Sequence, residues 1–147
     1  MKQALEDLRK SVDGLPGVAL NWKPGGDETN SIAVLVTHVL SSTRMWFSVA
    51  VGVELPDRDR DSEFRVTEDD TGKLLAHIDD MSAQIMGLLG TKDEIDWSAN
   101  RKTHLRPDPS LPDYVPAAFG LLHAIEHLGE HVAHVSLTRQ LWEERGA

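Results

Sequence analysis

Apolar residues recur at intervals of three and four along four stretches of the chain, and nowhere do they alternate with polar ones long enough to argue for a sheet. The first stretch is short. Leu5, Leu8 and Val12 share one face, and Gly14 with Pro16 ends the pattern. A loop, LNWKPGGDETN, then punctuates the chain with Gly, Pro and Asn. The second helix opens near Thr29 to Ser31, each able to cap it, and runs through SIAVLVTHVLSSTRMWFSVAVG to about Gly52. Its β-branched residues would suit a buried strand, but a run of about 20 residues exceeds strand lengths. A charged connection, VELPDRDRDSEFRV, spans residues 53–66. The third helix is expected from Thr67, with Asp70 completing an imperfect capping box. Leu74, Ile78, Met81, Ile85 and Leu88 form its stripe and Gly90 its stop. Residues 91–115, with Pro107, Pro109 and Pro112, show little periodicity, and about 25 such residues exceed ordinary loop lengths. Pro116 suits the first turn of a fourth helix reaching Glu144, about 29 residues or roughly 43 Å. The expectation is an all-α fold, one four-helix bundle over residues 1–147 with two long connections.

Composition narrows the function classes. At 147 residues and 40% hydrophobic content, the chain can bury one substantial core. No run of about 18 apolar residues is evident, so no membrane span is expected, and MKQALEDLRKSVDG lacks the apolar stretch of a secretory signal. A cytoplasmic location is the resulting expectation. A formal charge of −9 argues against general binding to nucleic-acid backbones. The absence of cysteine removes disulfides, thiolate metal sites and a cysteine nucleophile.

Histidine is the residue whose distribution carries chemistry. Four of seven fall in the fourth helix, in HAIEHLGEHVAH. At about 100° per residue, His123, His127, His131 and His134 share an arc of roughly 80° beside the apolar positions Leu121, Ile125, Leu128 and Val132. Imidazoles at i and i+4 stand about 6 Å apart along the axis, and their nitrogens can converge on one ion at about 2.1 Å each. Such a pair needs a third ligand from another helix. His38, on a face carrying Val34, Leu35, Ser41, Ser42 and Met45, should point inward, where it needs a partner. That partner could be a metal ion or a hydrogen-bonding group. HExxH is absent, since Leu128 follows His127.

These residues resemble a known family. NSIAVLVTHVLSSTRMWF, LLHAIEHLGEHVAHVSLTRQLW and the loop NWKP are similar to the corresponding segments of the DinB-like superfamily of four-helix-bundle metalloproteins, in the branch related to mycothiol-dependent maleylpyruvate isomerase. The resemblance implies a divalent metal, zinc, nickel or iron, held by His38, His127 and His131. His134 takes the place of a Gln or His that closes the motif, a neighbour or alternative ligand, and Ala133 replaces the usual Gly. His123 matches a frequent family histidine. An open metal position would bind a low-molecular-weight thiol, implying thiol transfer or isomerisation of a small-molecule substrate. With no cysteine in the chain, that thiol must come from outside.

Other residues bear on the choice. Arg139 is a candidate for an anionic substrate group, with a surface ion pair to Glu143 at i+4 as the alternative. Arg44, Trp46 and Phe47 either line a pocket or pack in the core, and Trp22 is expected to seal the bundle end. His77 and His104 read as surface or locally bonded. Asp57, Asp59, Asp61 and Glu63 resemble a calcium loop but hold Ser62 where Gly is required, so a solvated charge run is expected. Two other function classes remain: a non-catalytic bundle acting as a homodimer through an uncovered apolar face, and a metal-dependent hydrolase with Glu130 or His134 as base.

Overall fold

The computed structural model describes residues 1–105, 109 and 111–145. Four long helices make the bundle: α1 (Lys2–Val12), α3 (Ile32–Val51), α5 (Thr71–Leu88) and α6 (Ala117–Glu144). Short helices α2 (Gly17–Leu20) and α4 (Arg60–Glu63) lie in the connections, with a 3₁₀ turn at Gly26–Glu28. A small antiparallel ribbon joins β1 (Asn100–Lys102) to β2 (Tyr114–Pro116), with Arg101 opposite Val115.

α3 is the central helix, packed chiefly against α6 and then α5, while α1 closes the ring between α5 and α6. Seventeen of its twenty residues are buried. This explains an apolar composition all round the helix instead of one stripe. The same composition makes α3 long and apolar enough to cross a membrane by length and composition, a possibility the sequence pattern concealed, but 83% of the apolar window is buried inside the bundle. Ser31 caps it, accepting from the Val34 amide at 3.3 Å, and Gly52 ends it in the left-handed conformation at φ 75°.

Several boundaries differ from expectation. Asp70 is itself the cap of α5, accepting from the Lys73 amide at 3.2 Å, so the helix starts at Thr71 and not at Thr67. A carboxylate satisfying an orphan amide outcompetes a distant capping box. Pro116 caps α6 from outside its first turn, where the amides of Ala117 and Ala118 donate to the carbonyls of Ala99 and Trp97 at 2.9 Å each. The ribbon was not expected, because three-residue strands are too short to show alternation. It sets β1 against α3 and β2 against α6. Pro107 lies outside the described residues.

On α6 the buried line is Gly120, Ala124, Leu128, Val135 and Thr138. Ile125, placed by its spacing with the apolar face, is 42% exposed. The small residues set the core face because they let α6 approach α3 closely, and this turns the histidine ladder toward α3.

Candidate metal centre

His38 lies midway along α3, is 6% exposed, and faces the rungs of α6. Its ring centroid is 5.2 Å from that of His127 and 5.2 Å from that of His131, while His127 and His131 are 4.5 Å apart. One ligand nitrogen from each of the three lies within 4.8 Å of the others. Nitrogens sharing an ion at about 2.1 Å stand roughly 3 to 3.5 Å apart, so modest ring rotations close the triangle.

The protonation state suits a metal. Burial, then the neighbouring His131, His38 and other cationic groups, push His127 down to about 3. Burial, then His38 and His134, push His131 down to about 4. Both rings are neutral near pH 7 and offer lone pairs. Their Nδ1 atoms are buried without a hydrogen-bond partner, and orphaned polar atoms of this kind call for a missing group. Two neutral, half-buried imidazoles with unpartnered Nδ1 atoms, facing a third ring on α3, fit a borderline divalent cation.

The short helix α4 supplies what the sequence did not disclose. Glu63 was expected in a solvated charge run, yet it is 5% exposed and lies against His38. Its Oε2 is 2.9 Å from His38 Nδ1. Arg58 donates to the same carboxylate from Nε at 2.6 Å and from Nη2 at 2.7 Å. Burial alone would raise the Glu63 carboxyl, but the hydrogen bonds from His38 and Arg58, together with their charges, hold it below the usual carboxylate range. An ionised carboxylate only accepts, so His38 donates from Nδ1, and Nε2 is the ring nitrogen that Glu63 does not engage. Carboxylate–histidine pairs of this kind orient imidazoles that ligate metals. Asp59 caps α4, accepting from the Ser62 amide at 3.1 Å, which fixes the turn that carries Glu63 inward.

The family model for the DinB superfamily matches residues 1–135. The chain belongs to the DinB superfamily. No curated protein matches it. The DinB match contains His38, His127, His131 and His134 and stops before Arg139.

The other candidates divide. His134 is exposed, its ring 5.4 Å from that of His131, outside the triangle. His123 stacks on Phe119 at 5.8 Å and packs edge-on against Trp46 at 4.6 Å, with His127 at 5.6 Å. Arg139 stands away from the trio. Its Nε donates to Glu143 at 2.8 Å, and its Nη1 donates to the carbonyls of Lys10 and Asp13 at 3.1 and 2.8 Å. It therefore fastens the end of α1 to α6, which explains the residue without a substrate anion. Trp22 meets Trp142 edge-on at 5.7 Å, as a bundle seal should. His104, expected to be locally bonded, lies near Thr103 and Asp113, and it also lines the cavity that opens beside His38 and His127.

Proposed function

We propose that this DinB protein holds a divalent ion, zinc, nickel or iron, on His38, His127 and His131. On this reading it acts in the cytoplasm as a transferase or isomerase that uses an external low-molecular-weight thiol on a small-molecule substrate. The observation that carries the reading is the triangle of imidazoles whose ligand atoms lie within 4.8 Å of one another. The ion would supply a Lewis acid that lowers the pKa of a thiol or water at an open position. The chain's own part is orientation. Glu63 keeps the His38 proton on Nδ1, Arg58 keeps Glu63 ionised, and the cavity beside His127 gives the substrate its place. His134 is assigned to the thiol side of the site, next to His131.

Metal analysis of the native protein beside His38→Ala and His131→Ala tests the ligand set. One equivalent in the native protein and little in the variants is expected; negligible metal in all three would sink it. Thiol consumption by the loaded protein, abolished by chelation, tests the activity.

A second reading, a non-catalytic metal-stabilised homodimer, is favoured by one observation. Leu122 and Ile125 on α6 are 66% and 42% exposed and continue through Gly129 and Ala133 as an outward apolar line. Sedimentation of the native protein beside Leu122→Glu separates the readings: a dimer that becomes monomeric, and that loses melting temperature on chelation without turning over any thiol, favours the second.

A further inference from the structure

Beside the trio lies a cavity of about 370 Å³ with a mixed lining. Met45 and Trp46 from α3, Leu55 from the following connection, and Leu105 and Leu111 from between the two strands supply its apolar part. Arg58, Arg60, His104 and His123 also line it, His123 packed on the Trp46 ring at 4.6 Å, together with His38 and His127 of the trio.

Most polar groups of the lining are already engaged. Thr103 Oγ1, also in the lining, donates to the Pro112 carbonyl at 2.5 Å, His104 lies 3.3 Å from the Asp113 carboxylate, and Arg58 is held by Glu63. A ligand rich in hydroxyls would give up its water hydrogen bonds there for few replacements. Charge bears on the ligand as well. Among the described residues the charged lining is Arg58, Arg60 and Asp57, and Arg58 is already held by Glu63. Arg60 is exposed, and its guanidinium lies over the Phe64 ring at 5.0 Å. At the trio, three neutral imidazoles would leave the two charges of a divalent ion uncompensated, and the charge of Glu63 is already matched by Arg58.

We infer that this cavity binds a compact monocarboxylate with one ring-sized apolar body, the carboxylate toward the histidine trio and the body along Trp46, Leu55 and Leu105. At about 370 Å³ the cavity falls at the small end of ligand pockets, which suits one ring and a short acid arm. Arg60 at the rim favours entry of anions over neutral analogues. The inference rests on the proposed metal site and names the substrate class that site takes.

Calorimetric titration of the zinc-loaded protein tests it, with 4-phenylbutyrate as probe, and acetate and 4-phenylbutanol as its head and body alone. The probe is expected to bind at least about tenfold more tightly than either. Leu105→Glu and Arg60→Glu alter residues at the exposed mouth, and each should weaken the probe about tenfold or more with zinc content unchanged. Zinc retained with no preference for the probe, or equal affinity in both variants, overturns this inference alone. A native protein that takes up no zinc, nickel or iron overturns the metal reading and the placement of the carboxylate with it.

Discussion

His38 Nδ1 donates to Glu63 Oε2 across 2.9 Å of protein interior, and this bond decides which face of the ring is available for chemistry. The Arg58 Nη2 atom lies 3.4 Å from the same nitrogen, but it has a far better acceptor in Glu63 at 2.7 Å. His38 therefore depends on Glu63 for its proton position and Glu63 on Arg58 for its charge, so an ion held by the trio would depend on both. Glu63→Gln keeps the shape and an acceptor oxygen but removes the charge. It should lower affinity for zinc by about 10- to 100-fold, measured by competition with a chromophoric chelator, while far-ultraviolet circular dichroism stays unchanged. Glu63→Ala should do more, because it leaves the Arg58 guanidinium half-buried without its carboxylate, a loss of about 3–5 kcal/mol where one partner of a buried pair is removed.

The neutral state of the two α6 histidines sets the pH behaviour of the metal-free protein. Both have folded values far below the ordinary 6.5, about 3 for His127 and about 4 for His131. Between pH 6.5 and those values the unfolded chain binds more protons than the folded one, so stability falls as pH falls. The expected melting temperature is level from pH 8 to about 7 and drops progressively from about 6.5 to 4. His131→Gln should flatten that drop. A melting temperature equal at pH 7 and pH 5 would contradict the neutral pair.

Helix existence was legible because periodicity survives in a single sequence: the stripe Leu74, Ile78, Met81 and Ile85 is buried as its spacing requires. The histidine cluster was legible for a similar reason, since two of its members share one helix at i and i+4 and the third sits in an apolar run. Glu63 was not. Nothing in DRDRDSEF distinguishes a carboxylate that turns inward from three that stay in water, because the difference lies in a four-residue helix capped by Asp59 and in a histidine 25 residues earlier. The missing signal was present on the other side of the bond: an inward His38 required a partner, and its identity was a tertiary fact. The ribbon was hidden likewise, its pairing of Asn100–Lys102 with Tyr114–Pro116 depending on contacts across the long connection.

Arg139 is the residue whose two readings give opposite experimental outcomes. Its guanidinium closes the C-terminus of α1 by donating to the Lys10 and Asp13 carbonyls, where a cation also complements the helix dipole. Arg139→Ala should cost about 1–2 kcal/mol of stability for these charged hydrogen bonds, read by urea unfolding. Metal content and the affinity for 4-phenylbutyrate should not change. A loss of probe affinity without loss of stability would instead restore Arg139 as an anion-binding residue.

Gly120 sets how closely α6 can approach α3, and therefore how well the ladder faces His38. A Cβ at this position would stand 3.2 Å from the Ala50 amide nitrogen, 3.2 Å from the Trp46 carbonyl oxygen and 3.2 Å from Val49 Cγ1. Two of the three neighbours are backbone of α3 and cannot rotate away, so the helices must part by a few tenths of an ångström. Gly120→Ala gains helix propensity of about 1 kcal/mol but meets this crowding, so its net effect on stability should be small. Gly120→Val adds further bulk and should cost about 1–3 kcal/mol. The more telling readout is metal affinity. Parting the helices at Gly120 moves the α6 rungs away from His38, so Gly120→Val should bind zinc more weakly than Gly120→Ala at a temperature where both are folded. Equal zinc affinity in the two variants would show that the trio is placed independently of this contact.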